Sequence, residues 1–155
     1  MAIIKLFIFK FRWRSLKWSL GLKPKFQNPK ENGEYGEWLG RRFLSKKGFT
    51  ILFLNWRSRK DKRNEIDLIC MDNEILVFVE IRARSENSFT TGYETLGKRK
   101  RKALLKSFKA YLSENINPPS TYRFDVIEVD LPSEAKGKVK LFHHENIAIF
   151  RDSLH

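Results

Sequence analysis

The chain has 155 residues, 41% of them hydrophobic, with thirteen phenylalanines and a formal net charge of +13 at pH 7. That length implies one domain with a real core, and no apolar stretch approaches the ~18–20 residues of a membrane span. The charge points to a polyanionic partner, whether nucleic acid, an anionic membrane surface or the ribosome. Cys70 is the single cysteine. It excludes an internal disulfide and fits a reducing compartment, so the expected location is cytoplasmic and Cys70 itself is expected to be an inert core residue.

Residues 1–30 hold eight Lys or Arg and no acid, so residues 31–155 retain +5 of the net charge (13 − 8). The period of this segment is ambiguous. Phe9, Phe11 and Trp13 alternate with Lys10, Arg12 and Arg14 as in a strand, whereas Ile4, Phe7, Ile8, Phe11 and Trp18 fit a helical stripe. Lys5 interrupts its apolar part and no small-residue cleavage site follows, which argues against a secretory signal. Two readings remain: a basic amphipathic arm that contacts nucleic acid or a membrane, or a weakly ordered extension. Either way residues 1–30 are set apart from a domain spanning 31–155, and Lys23 to Gly33 reads as a polar linker.

Gly33 to Gly48 is expected to be a helix. Tyr35, Trp38, Leu39, Phe43 and Leu44 share its apolar face, Gly48 caps its end, and Glu34 and Glu37 fall in its first turn. Glu37 has two readings, a favourable contact with the helix dipole or a carboxylate reaching toward other acids. Phe49 to Trp56 reads as a strand. Arg57 to Arg63 is a basic loop with five bases and one acid. Placed before the central strands, it suits either solvation or phosphate contact by Arg57, Arg59, Lys60 and Arg63. Asn64 to Arg84 reads as two strands, and the polar loop from Ser85 to Gly97 has the length of a flap. Lys98 to Asn115 is a second helix with Leu104, Leu105, Phe108, Tyr111 and Leu112 on one side. Seven bases precede its first acid, Glu114, more than solubility needs, so backbone contact with nucleic acid is expected, through Lys98, Arg101 and Lys102 among others. Tyr122 to Val129 is a strand interrupted by Asp125, and a last strand lies within Val139 to Phe150. His143 and His144 would face opposite ways there and cannot chelate one metal; packing or surface roles are expected. The resulting order is helix, three strands, helix, two strands. It predicts a three-layer α/β domain with a mixed central sheet of about five strands flanked by helices.

The two strands of Asn64–Arg84 are almost continuously apolar, which implies cover on both faces and a central place in the sheet. Asp67 and Glu80 interrupt them. Taking Asp72-Asn73 as a two-residue loop pairs Asp67 with Phe78 and sets Glu80 diagonally from Asp67, roughly 7–8 Å away on one face. Arg82 points the same way. On spacing alone, two readings stand: the acids hold a hard cation such as Mg²⁺, or each pairs with Arg82 or another base.

Gly33-Glu34, Glu37, Gly48, Asn55-Trp56-Arg57, Glu65 to Ile69, Phe78 to Arg84 and Arg123 to Val126 occur in an order and spacing that resembles the bacterial YraN-like family. That family looks like the restriction-endonuclease-like nucleases, the PD-(D/E)xK superfamily, and within it the Holliday-junction resolvases. The resemblance covers about residues 33–150. It implies a restriction-endonuclease-like fold and an Mg²⁺- or Mn²⁺-dependent endonuclease acting on structured or branched DNA rather than RNA, with no small-molecule cofactor and a homodimer as in the resolvases. Glu37, Asp67 and Glu80 match its metal-binding acids, and Arg82 stands where the motif has Lys. Lysine can lose a proton in a perturbed site and arginine effectively cannot, so Arg82 fits a role in stabilising phosphate charge rather than as a base. Arg84 joins the expected nucleic-acid contacts. The alternative in another class is a non-catalytic nucleic-acid-binding module with the same fold.

Overall fold

The computed structural model describes residues 14–85, 96–133 and 137–149. The expected flap therefore lies mostly outside the described residues, as do residues 1–13 of the basic N-terminal segment. The elements are α1 (Pro29–Lys46), β1 (Thr50–Trp56), β2 (Ile66–Asp72), β3 (Ile75–Ser85), α2 (Lys98–Glu114), β4 (Tyr122–Leu131) and β5 (Lys140–His144). They build one five-stranded sheet in the order β1-β2-β3-β4-β5. Only β3 and β4 run parallel; the other neighbours are antiparallel. Parallel neighbours need a long crossover, and the segment carrying α2 supplies it. The mixed α/β sheet matches the sequence expectation.

The helices explain why β3 lacks polar alternation. Val77, Val79 and Ile81 pack on the α1 side, together with Leu68, Ile127 and Val129. Leu76 and Phe78 pack on the α2 side with Leu104, Phe108 and Val126. Phe78 stacks on Phe108 with ring centroids 4.3 Å apart. Both faces are covered, so both sets of side chains are apolar. Cys70 is fully buried in the α1-side core, where burial pushes its thiol up to about 12.

α1 begins four residues before the expected Gly33. The Asn28 side chain accepts hydrogen bonds from the Lys30 and Glu31 amides at 3.0 and 3.4 Å, with Pro29 in the first helical turn. The asparagine and proline read as linker are cap chemistry instead. Glu31 is consequently the first-turn acid, and Glu34 and Glu37 sit farther along the helix. The helix ends as expected at Gly48, whose φ of +94° is left-handed. Trp18, from the basic N-terminal segment, is buried against the Tyr35 and Trp38 rings at 5.2 and 5.9 Å. No helix among the described residues is long and apolar enough to cross a membrane.

α1 lies close to β3 because two small residues face it one turn apart. A Cβ on Gly36 would stand 2.5 Å from the Ala83 Cβ, and one on Gly40 2.9 Å from the Ile81 Cδ1. Ile81 can change rotamer, but Ala83 moves only with its strand. Gly36→Ala is therefore expected to destabilise the fold by about 1–3 kcal/mol despite alanine's better helix propensity. Urea denaturation of Gly36→Ala, alone and with Ala83→Gly, checks this: recovery in the double variant is expected, and equal loss in both would show the contact is not limiting.

β4 extends two residues past the expected Val129, and β5 occupies only five residues of the Val139–Phe150 window. His143 packs edge-on against Phe43 and Phe49, and its Nε2 lies 2.9 Å from the Asp125 Oδ2. Arg123 donates to the same carboxylate and, at 2.9 Å, to Asp72. Asp125 thus interrupts β4 as the fully buried centre of a satisfied network. His144 faces the other way, 3.3 Å from Glu128.

Candidate metal and nucleic-acid site

β2 and β3 are joined by Asn73-Glu74, not by Asp72-Asn73. Asp72 pairs with Ile75, and Asn73 takes a φ of +52°. Asparagine tolerates that conformation, and the Arg123 bond holds Asp72 in the strand. The ladder runs from Asp72–Ile75 to Leu68–Val79, a register two residues away from the expected Asp67–Phe78 pairing. Asp67 and Glu80 are the next residues past its end, close enough for the Glu80 charge to act on Asp67. The loop still has two residues, so the expected parity of the two strands is kept.

Glu80 is only 3% exposed. Its Oε1 lies 2.9 Å from the Lys100 Nζ and 3.6 Å from Arg82, whereas its buried Oε2 has no hydrogen-bond partner. The Asp67 Oδ2 accepts from the Ile81 amide at 2.8 Å. Burial first, and then the Glu80 charge, push the Asp67 carboxyl up to about 8, against the pull of the Ile81 amide and Lys100. Glu37 approaches from α1, and its Oε2 accepts from Asn55 Nδ2 at 3.3 Å. Its carboxyl is raised by burial despite the Asn55 bond, with Glu65, Glu34 and Glu80 adding repulsion. Asn55 sits at a φ of +50° at the end of β1. Its role was invisible to periodicity; the only sequence signal was its place beside Trp56 and Arg57 in the family-like motif.

Among the described residues, no three His, Cys, Asp or Glu are arranged to hold a metal ion. Two oxygen donors facing each other, one with an orphaned buried atom, do fit a hard divalent cation that keeps several waters. The repulsion that raises the Asp67 carboxyl is the repulsion a cation would relieve. The fit therefore rests on Asp67 and Glu80, with Glu37 as an outer acid.

The basic residues divide into engaged and free groups. Arg57 forks onto Glu65 at 2.9 and 2.6 Å and also donates to the Lys62 carbonyl. Arg63 and Lys106 both hold Asp61, whose carboxyl their hydrogen bonds pull well below the usual range. Ser58 donates to Glu114 at 2.5 Å and caps the Lys60 and Asp61 amides, so the basic loop is a built turn docked on α2. Arg59 joins it to Glu114 through its amide, leaving its side chain and that of Lys60 outward. Arg84 is half-buried in a pair with Glu128 at 2.5 Å. Among the described residues Lys98, Arg101 and Lys102 make no ion pair. A cleft of about 220 Å³ is lined by Arg57, Arg63, Asn64, Glu65, Leu104 and Lys100, the last of which also holds Glu80. Lys100 is the functional candidate that helical periodicity concealed, since it reads there as one of seven bases on a solvated face.

Fold and site together define an α/β domain whose mixed sheet carries two neighbouring acids, linked by Lys100 to a basic cleft. The model of the family described as Uncharacterised protein family UPF0102 matches residues 36–129, and the chain belongs to that family. The match spans Glu37, Asn55, Asp67, Glu80, Arg82, Lys100 and Asp125. The chain is 35% identical over 123 residues to a UPF0102 protein of Carboxydothermus hydrogenoformans, covering 79% of this chain and 99% of that protein. It is 36% identical over 119 residues to one of Chlorobium phaeobacteroides, covering 77% and 92%, and 37% identical over 120 residues to one of Lawsonia intracellularis, covering 77% and 86%.

Proposed function

We propose that this protein is a metal-dependent, restriction-endonuclease-like nuclease that binds structured or branched DNA and hydrolyses a phosphodiester bond in it, with similarity to the Holliday-junction resolvases. The observation that carries the reading is the acidic pair Asp67–Glu80, one of whose buried oxygens is unpartnered, joined through Lys100 to a cleft that Arg57 and Arg63 also line. Mg²⁺ or Mn²⁺, when bound, would polarise the scissile phosphate and lower the pKa of a coordinated water. Asp67 and Glu80 would hold that ion, and Glu37, oriented by Asn55, would act from its outer side. Arg82, 3.6 Å from Glu80, stabilises negative charge growing on the phosphate but cannot take a proton from water near neutral pH. The exposed cations of the 57–63 loop and of the first turns of α2 hold the sugar-phosphate backbone without reading bases.

A cleavage screen with Mg²⁺ and Mn²⁺ over linear, nicked, flapped and four-way DNA tests this reading, run beside Asp67→Ala. Metal-dependent cleavage that Asp67→Ala abolishes is the expected result. The second reading, a nucleic-acid-binding module that keeps the fold without cleavage, is favoured by one observation, Arg82 in the place of the motif lysine. Under both readings affinity falls steeply with salt because phosphate contacts release counterions. Replacing Lys98, Arg101 and Lys102 by Ala is expected to flatten the log–log salt slope by roughly 1–3 units in an anisotropy titration. An unchanged slope would remove α2 from the interface.

A further inference from the structure

The start of α2 is built against its own electrostatics. Lys98, Arg99, Lys100 and Arg101 crowd the first turn, no acid accompanies them, and the Gly97 cap offers no side-chain acceptor. The helix dipole makes that end positive, so cations there are unfavourable and an anion is favourable. A second observation concerns Lys100 alone. Its ammonium is 2.9 Å from the Glu80 carboxylate, yet its side chain is 39% exposed where that of Glu80 is 3%. It also lines the cleft shared with Arg57, Arg63 and Asn64. One flexible four-carbon chain thus borders both the acidic pair and the basic cleft.

We propose that Lys100 is a removable counter-cation, and that the cleft beside it is a phosphate subsite completed only when Lys100 is released. In the metal-free protein the ammonium neutralises Glu80. A divalent cation seated between Asp67 and Glu80 takes over that task, and an ammonium beside it would be repelled. The freed Lys100 swings fully into the cleft that it already borders, where with Arg57 and Arg63 it holds a phosphate of the nucleic-acid backbone. Glu65, which pairs with Arg57 across the same cleft, keeps the cleft short of full positive charge until that moment. Cation and phosphodiester then bind with positive coupling through one side chain, and the coupling is reciprocal. This inference rests on the reading that Asp67 and Glu80 hold a metal.

The test uses Mn²⁺ as the cation, followed by paramagnetic resonance, and a phosphorothioate DNA duplex that resists cleavage, followed by anisotropy. Lys100→Gln removes the competitor and is expected to bind Mn²⁺ about ten-fold more tightly than wild type. Mn²⁺ is expected to raise wild-type affinity for the duplex about five-fold or more, and to leave that of Lys100→Gln nearly unchanged. Lys100→Arg keeps a charge and the helix start, so it guards against a folding artefact; it is expected to bind Mn²⁺ no more tightly than wild type. Mn²⁺ affinity that is equal or weaker in Lys100→Gln, with Asp67→Ala abolishing binding in the same assay, would overturn the role of Lys100 and leave the metal site standing. Failure of wild type and Lys100→Gln alike to bind Mn²⁺ would overturn the metal site and this inference together.

Discussion

With chelator present, the protein is expected to lose folding stability as pH rises from about 4 to about 8, and Asp67→Asn to remove most of that loss. The cause is the Asp67 carboxyl, raised from 3.8 to about 8 chiefly by burial and then by Glu80. Across that window the folded chain keeps a proton that the unfolded chain releases. A raised carboxyl therefore contributes stability that is full below the ordinary carboxylate range and is lost as pH passes through the folded value. One such proton gives a slope of at most about 1.4 kcal/mol per pH unit. Because Asp67 is partly exposed, the total is expected to be a few kcal/mol, about half or less of that ceiling across the window. Asp125 does not confuse the measurement. Burial pulls its carboxyl upward, but hydrogen bonds from His143, Arg123 and the Asn146 amide outweigh this and hold it low. Its contribution is present above the ordinary carboxylate range and lost only at more acid pH. Urea midpoints at pH 5, 6, 7 and 8 check the result. Mn²⁺ should raise the wild-type midpoint most at pH 8, where it no longer competes with the proton. Parallel pH curves for wild type and Asp67→Asn would show that Asp67 titrates normally.

What could be read from the sequence follows the range of the forces involved. The strands and the two-sided cover of β3 were legible because burial on two faces writes itself into every residue of Ile75–Val79. The two-residue loop between β2 and β3 is legible, and with it the parity of the strands. The register is not: Asn73-Glu74 turns in place of Asp72-Asn73, and Arg123, which lies 51 positions from Asp72 and bonds it at 2.9 Å, favours keeping Asp72 in the strand. The early start of α1 is not legible in the sequence because Asn28-Pro29 is equally good chemistry for a linker and for a cap. Long-range polar contacts left no periodic trace. Asn55 on Glu37, His143 on Asp125 and Lys100 on Glu80 each join elements that the chain brings together only after the sheet forms. The family-like motif flagged Asn55 and Asp125 without giving a reason; the network around each now supplies it.

The substitution series at position 82 is expected to separate a working nuclease from a binding module. Arg82 lies on the same face as Glu80 with its guanidinium 3.6 Å away, near enough to bear on a phosphate at the acidic pair. It is always charged, so it lends positive potential at any pH and never accepts a proton. In a working enzyme, proton removal from water then falls to the bound metal, and cleavage should depend strongly on whether Mg²⁺ or Mn²⁺ is supplied. Arg82→Lys shortens the side chain and restores a titratable amine, and is expected to keep or raise the cleavage rate. In such an enzyme Arg82→Ala would remove a charge that stabilises the transition state, and a loss of about 10²–10³-fold in kcat is expected by comparison with other electrostatic stabilisers. Asp67→Ala and Glu80→Ala should abolish cleavage, since each removes half of the donor pair. In a binding module the pattern differs: none of these proteins cuts, and Arg82→Ala only weakens affinity and lowers the salt slope by under one unit. Single-turnover cleavage and anisotropy on the same substrates distinguish the two. Wild type and Arg82→Lys both inert with either metal on every DNA and RNA tested, while binding normally, would end the enzymatic reading.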